Sequence, residues 1–199
     1  AQVLAVNLMG SPGSGKTAVL EATAKAMAGK RSLSAMSGDL ATDNDANRLE
    51  AAGIPSQSIT TGSACHLDAK MVHEGLHKLP WRETDLLFIE NVGNLVCPAV
   101  YDLGQAVNVV ALAVTEGEDK PLKYPVMFRT ADLVLLTKVD LIPHLPQIDV
   151  AAIEDGLART MPNPEVIHVS AITGEGIDRW IEWLEAKRTG ALAEVAAEA

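Results

Sequence analysis

The sequence predicts an α/β fold, a mostly parallel sheet with helices on both faces, and three observations predict it. Short apolar runs at residues 3–9, 33–36, 85–89, 107–114, 133–137 and 166–169 alternate with longer segments, most of which carry helical periodicity. The first run leads through a glycine-rich loop into the first helix. The remaining chemistry-bearing residues follow the ends of later runs, where open α/β sheets place their sites.

The first element is the run VLAVNLM at 3–9, apolar enough for a buried strand. GSPGSGKT at 10–17 then meets the phosphate-loop pattern G-x-x-x-x-G-K-(S/T) in full. From Thr17 onward Val19, Leu20, Thr23 and Met27 fall on one side of a helix. Strand, loop and helix in that order are the context the motif needs, and they identify a P-loop NTPase domain rather than a chance glycine-rich turn. Gly10, Ser11, Gly13, Ser14 and Gly15 let successive N–H groups and the helix N-terminus face the phosphates of a nucleoside triphosphate. Lys16 would reach the β and γ phosphates, and Thr17 would place its hydroxyl on Mg²⁺.

After the second strand comes Gly38-Asp39. Asp39 is a candidate for the Mg²⁺ shell or for orienting the attacking water, with Asp43 and Asp45 competing and a helix-capping role as the alternative. Gly53 ends a helix at about 46–52, and a further helix begins near His66, at whose head sits Cys65-His66. On that helix His66, Lys70, His73 and His77 share one stripe opposite Leu67, Met71, Gly75 and Leu76. The plain reading of the stripe is a solvated face, with a metal-transfer path as the alternative. The strand at 85–89 ends in Glu90, followed by Asn91, Val92 and Gly93. Glu90 takes the place of the Mg²⁺-side carboxylate. Gly93 takes that of the γ-phosphate sensor, where a residue without Cβ lets the backbone come close. No glutamine follows Gly93 directly to position water, so intrinsic hydrolysis should be slow.

Lys120 and Lys123 lie in the loop after the 107–114 strand, Lys120 read as exposed and Lys123 either exposed or reaching a nucleotide across a dimer. The strand at 133–137 runs into Lys138-Val-Asp140, so that Thr137, Lys138 and Asp140 match the guanine-reading element (N/T)-K-x-D. Asp140 would accept from the guanine N1–H and exocyclic amine, a donor pair adenine lacks, and Lys138 would lie over the base. Thr137 stands where Asn is more frequent, a change that bears on loop bracing. Ser170 and Ala171, after the last strand, match the loop whose backbone reads guanine O6. The nucleotide is therefore GTP, with GDP as product. Pro143 and Pro146 delimit the loop before a helix at about 148–159.

With 199 residues the chain fits one domain, read as 1–190 with an Ala/Glu-rich tail at 191–199. A net charge of −10 disfavours nucleic acid and acidic membrane surfaces as partners. No apolar run is long enough to span a membrane, and the N-terminal run lacks the features of a signal peptide, so the expected location is the cytoplasm. In a reducing compartment Cys65 and Cys97 are each a free thiol, a reactive thiol or a metal ligand. With His66 they make a donor set suited to Zn²⁺ or Ni²⁺.

TGSACHLDA at 61–69, ENVGNLVCP at 90–98 and TEGEDKPLKYP at 115–125, joined to the phosphate loop, resemble the hydrogenase nickel-incorporation GTPases of the HypB family over nearly the whole chain. The resemblance implies a GTPase of the dimerising class that helps deliver nickel to the large-subunit precursor of nickel–iron hydrogenase. It implies a G-domain metal site at the residues matched by Cys65, His66 and Cys97, a GTP-promoted homodimer with that site near the subunit junction, and the metallochaperone HypA as partner. Many members carry a Cys-rich nickel motif before the first strand, and the sequence starts at that strand, so storage there is not carried over; nor is there a His-rich tract. Two other classes compete. One is a metal-binding dimerisation module in which hydrolysis is incidental. The other is a urease-type nickel GTPase, whose Cys-Pro-His motif does not match Cys65-His66 with a distant Cys97. The guanine-reading residues disfavour an ATP-driven kinase or partitioning ATPase.

Overall fold

A computed structural model describes residues 2–197. In chain order it contains β1 (Leu4–Gly10), α1 (Lys16–Met27), β2 (Leu33–Asp39), α2 (Asn44–Ala51), β3 (Ser56–Thr60), α3 (Ala69–Leu76), β4 (Leu86–Glu90), β5 (Val107–Ala113), α4 (Lys120–Lys123), α5 (Pro125–Arg129), β6 (Leu133–Thr137), α6 (Val150–Thr160), β7 (Val166–Val169) and α7 (Ile177–Ala197). The strands form one sheet in the order β3-β2-β4-β1-β5-β6-β7, and every pairing is parallel. The expected α/β P-loop architecture is present.

β1 is central because nearly all of it is apolar and it is covered on both faces. Successive side chains point to opposite sides. Leu4, Val6 and Leu8 pack with Val19, Leu20 and Met27 of α1, Leu49 of α2 and Trp180 and Leu184 of α7. Met9 packs on the other side with Phe128 of α5 and Ile153 and Leu157 of α6. Thr23, expected on the buried stripe of α1, is fully buried. Its hydroxyl donates to the Val19 carbonyl at 2.7 Å and accepts from the Trp180 indole at 2.9 Å, so neither polar group is stranded.

At the amino ends of the strands an ion cluster ties α7 to the sheet. Arg188 reaches Asp85 at 2.6 Å and Arg31 grips Glu185 with two bonds of 2.8 and 2.9 Å. The Arg31 hydrogen bond holds the Glu185 carboxyl below the usual range.

Several expectations are corrected. β3 was not anticipated: its sequence SQSIT has no apolar run, because it is a half-exposed edge strand paired only with β2. β2 continues to Asp39, and α2 starts at Asn44 rather than about 46. α6 begins at Val150, where the Asp149 carboxylate accepts from the Ala151 and Ala152 amides. The third helix does not begin near His66. Asp68 caps it by accepting from Met71 N at 2.8 Å, which leaves Cys65, His66 and Leu67 in the loop before it. The last helix extends unbroken through residues 191–197; positions 198 and 199 of the expected tail lie outside the described residues. Among the described residues no helix is long and apolar enough to cross a membrane.

Candidate functional site

The carboxyl ends of β1, β2 and β4 open onto a cleft of about 520 Å³ lined by Gly13, Gly15, Lys16, Thr17, Asp39, Asp45, Arg48, Glu90, Gly93 and Lys138. The phosphate loop forms its floor. Gly13 and Gly15 hold φ of 75° and 93°, values that suit glycine and turn the chain so that the loop wraps toward the helix N-terminus. Lys16 is buried, and its ammonium donates to the carbonyls of Gly10 at 3.4 Å and Ser11 at 3.2 Å. Burial pulls its pKa down, while Glu90, Asp45 and Glu116 work against that shift. The lysine therefore lies across the mouth of the loop, where a phosphate would replace the carbonyls as its partner.

Register brings the second group in. Leu8 of β1 pairs with Glu90 of β4, which places that carboxylate beside the start of α1. Thr17 Oγ1 donates to Glu90 Oε1 at 2.7 Å. The other oxygen of Glu90 is buried without a hydrogen-bond partner among the described residues. Burial pushes the Glu90 carboxyl up to about 7, against the opposing pull of Lys16 and Thr17. A buried carboxylate oxygen with no partner, beside a threonine hydroxyl in a cleft that Asp39 and Asp45 also line, offers hard oxygen donors that fit Mg²⁺.

Asp39 lines the cleft, but its carboxylate is already engaged. It accepts from Ala41 N at 3.0 Å, Thr42 N at 3.4 Å and the Thr42 hydroxyl at 3.0 Å, and these bonds, led by Ala41, hold its pKa below the usual range. It thus caps the turn after β2 and not a helix. The position before α2 belongs to Asp43, which is absent from the cleft wall, whereas Asp45 is on it. Arg48, which the sequence reading overlooked, also lines the cleft. Its guanidinium grips Glu21 through two bonds of 3.0 and 2.8 Å.

Gly93 approaches the phosphate loop so closely that a Cβ there would lie 2.9 Å from the backbone of Pro12. Ser11 of that loop donates to the carboxylate of Glu116, whose other oxygen accepts from Ala113 N at 2.9 Å. Thr137, the departure from the commoner Asn, does brace the loop: its hydroxyl donates to the Ser14 carbonyl at 2.6 Å. Lys138 follows with φ 61° and is the one non-glycine residue of positive φ among those described. Its side chain runs back past Gly15. Pairing of Thr137 with Val169 sets Lys138 and Asp140 beside Ser170 and Ala171 at the ends of adjacent strands. Ser170 is buried, and its hydroxyl accepts from Thr173 N at 3.2 Å. Ala171 lines a separate groove between α1 and α7. Of the two lysines after β5, Lys123 is exposed and 3.6 Å from Asp119; Lys120, expected to be exposed, is half-buried over the Tyr124 ring.

Beyond Gly93 the chain reaches Cys97, which opens a short 3-10 turn. The candidate ligand atoms of Cys65, His66 and Cys97 all lie within 4.8 Å of one another. The two thiols are free and their sulfurs are 3.0 Å apart. The hydrogen bond with Cys65, which favours the protonated thiol, pushes Cys97 up, and burial and the charge of Cys65 add to that shift. His66 Nδ1 is buried with no partner among the described residues, and the ring stacks on Tyr101 at 3.8 Å. Two soft donors and an unpartnered imidazole nitrogen in one cluster fit a Zn²⁺ or Ni²⁺ ion.

Two asparagines hold this cluster, and the sequence assigned neither a role. Asn91 accepts from Leu67 N at 3.2 Å and donates to Asn7 at 3.1 Å. Asn94 donates from its backbone to Gly10 O at 3.0 Å and from its side chain to Cys65 O at 3.2 Å, and accepts from Val96 N at 2.9 Å. One residue therefore touches the phosphate loop and both thiol-bearing segments.

The chain matches the family model described as CobW/HypB/UreG, nucleotide-binding domain, over residues 4–167. It is similar to the hydrogenase maturation factor HypB of Azotobacter vinelandii, 54% identical over 92% of the chain and 60% of that relative. The HypB of Escherichia coli K12 is 49% identical, with 93% and 63% covered. The chain thus spans about three-fifths of the length of these two relatives. Among solved structures, the HypB of Helicobacter pylori in complex with nickel superposes with a TM-score of 0.90 at 37% identity, covering 96% of the chain and 89% of that structure.

Proposed function

The chain belongs to the CobW/HypB/UreG nucleotide-binding family and within it to the HypB maturation factors, and from that premise we propose a Mg²⁺-dependent GTPase that delivers nickel during nickel–iron hydrogenase maturation. Lys16 exchanges the Gly10 and Ser11 carbonyls for the β and γ phosphates of GTP. Thr17 and Glu90 would hold Mg²⁺, with Asp39 or Asp45 contributing to its shell or orienting the attacking water. An ion held there would supply positive charge against the triphosphate. Gly93 meets the γ-phosphate, Thr137 braces the loop, Lys138 and Asp140 read guanine, and Ser170 and Ala171 present backbone to its O6. No water-positioning glutamine follows Gly93, so turnover is slow until a partner or second subunit completes the site.

Asn94 carries the reading. When the γ-phosphate moves Gly93, the adjacent Asn94 moves with it, and Asn94 is bonded to Gly10 on one side and to the Cys65 carbonyl on the other. Nucleotide state therefore alters the spacing of Cys65 and Cys97, and hence affinity for the nickel or zinc ion they share with His66. The protein acts as a GTP-promoted homodimer in the cytoplasm, receives nickel with HypA, and passes it toward the hydrogenase large-subunit precursor. A urease-type assignment is not favoured, because the ligands are contiguous Cys65-His66 and a distant Cys97.

Nickel affinity measured with GDP and with a non-hydrolysable GTP analogue tests the coupling. The two values should differ by about tenfold or more, and equal values would overturn it. Phosphate release with and without HypA separates the enzyme from the alternative, a dimerisation module with incidental hydrolysis.

A further inference from the structure

The stripe on α3 is left over once His66 is withdrawn into the thiol cluster. His73 and His77 remain, both exposed, four residues apart, with ring centroids 5.0 Å apart and planes at 85°. His77 is the C-cap and keeps helical dihedrals of −65° and −16°, so the i, i+4 relation holds to the end of the helix. Among the described residues neither ring enters an ion pair, unlike His168, which sits 2.8 Å from Glu154.

We propose that His73 and His77 form a surface chelate for a single divalent transition-metal ion, separate from the Cys65, His66 and Cys97 cluster. With metal–nitrogen bonds of about 2.1 Å and ring centres about 1.2 Å behind the nitrogens, two cis imidazoles have centroids roughly 4.5–5.2 Å apart. The observed spacing lies within that range, so the two rings stand at the separation a shared ion requires. The negative end of the helix dipole at the helix C-terminus favours a cation. Lys78 follows on the chain and Lys70 is paired with Glu74 at 3.9 Å, so the local field is mixed and affinity rests on the nitrogens. Imidazole donors select Ni²⁺, Cu²⁺ or Zn²⁺ over Mg²⁺ or Ca²⁺. Two protein ligands leave the remaining positions to water, which makes the ion exchangeable. Use of the pair as a landing point for ions on their way to the thiol cluster rests on the nickel-delivery reading; the chelate itself does not.

The test is stepwise addition of nickel(II) chloride to the full chain without nucleotide, followed through the assigned imidazole ring proton signals. Signals of His73 and His77 should broaden together and before those of His144 and His168. In His77→Gln the remaining His73 signal should need about tenfold more nickel, because the second ligand acts at high effective concentration. His73→Gln should do the same to His77. Both side chains are exposed, so neither variant should lose helix content. Broadening spread evenly over the exposed histidines, or unchanged by either substitution, overturns the proposal. Since no nucleotide is present, that result is distinguishable from failure of the GTP-linked reading.

Discussion

The phosphate loop and the thiol cluster meet at Asn94 but are held in different ways. Around the loop nearly every group is buried or tied: Lys16 and Thr17 are each 7% exposed, Thr137 and Glu116 brace the loop from outside, and Gly93 is pressed against Pro12. The cluster has half-buried thiols, and Val96, Val100 and Tyr101 around it are exposed. Its two segments are joined through Asn91 and Asn94, the Cys65–Cys97 contact and the His66–Tyr101 stack. A rigid site suits tight, uniform recognition of phosphates, and a loosely joined one can change its ligand spacing at small cost. Under the proposed coupling, that difference makes the phosphate loop the input and the thiol cluster the output.

The largest effect should come from Gly93→Ala, which tests the rigid side. The added methyl would fall 2.8 Å from Pro12 Cγ and 2.9 Å from its backbone, and backbone cannot give way as a side-chain tip can. Single-turnover GTP hydrolysis should fall about 100-fold, the scale of losing one preorganised backbone donor, while GDP affinity changes only a few-fold. Unchanged hydrolysis would mean that the tight fit is not part of the chemistry. Cys65→Ala tests the other side. Nickel affinity should drop at least about tenfold to 100-fold, with hydrolysis within about threefold of the parent. If hydrolysis collapsed as well, the two regions would not be separable and the comparison would break.

How these regions read in the sequence follows from the same contrast. The phosphate loop, Glu90 and Gly93 were legible because phosphate chemistry fixes residue type and spacing within a short stretch. The five inner strands were legible because burial on both faces demands apolar runs, and the edge strand β7 because three of its four residues, Val166, Ile167 and Val169, are apolar. β3 was not: an edge strand half-covered by α2 and α3 needs no such run, and SQSIT looks like loop. Asp39 was found, but the sequence left it between a helix cap and a ligand, and only the fold shows its carboxylate bonded to Ala41 and Thr42 in the turn after β2. Asn91 and Asn94 lay within the recognised 90–98 segment, but their bracing role was not legible, because an asparagine acquires it only from what lies across the fold, 24 and 29 residues away in chain at Leu67 and Cys65.

Asn94→Ala sharpens the comparison at the junction itself. The backbone bond to Gly10 survives in the variant, so only the side-chain links to Cys65 O and Val96 N are lost. The expected result is a loss of roughly tenfold in nickel affinity, with the difference between GDP and the GTP analogue reduced to about twofold or less. Nucleotide affinity itself should stay near that of the parent. A variant that kept the full difference would move the coupling to Asn91 or to the helix after it.

Thr137→Val should give the smallest change. Valine keeps the volume of threonine and removes only the hydroxyl that donates to Ser14 O at 2.6 Å in a buried setting. Losing one such bond and leaving the carbonyl unpaired costs about 1–2 kcal/mol of stability, read as a shift in the urea midpoint without a change in slope. Because Gly10, Gly13 and Gly15 set the loop's shape through their own dihedrals, GDP should be held only a few-fold more weakly. The nickel difference between nucleotides should not change at all, since Thr137 braces the loop at Ser14 while Asn94 reads it at Gly10. A loss of that difference in Thr137→Val would show that the phosphate loop moves as one body, and that its rigidity, rather than the Asn94 bond alone, transmits the signal to the thiols.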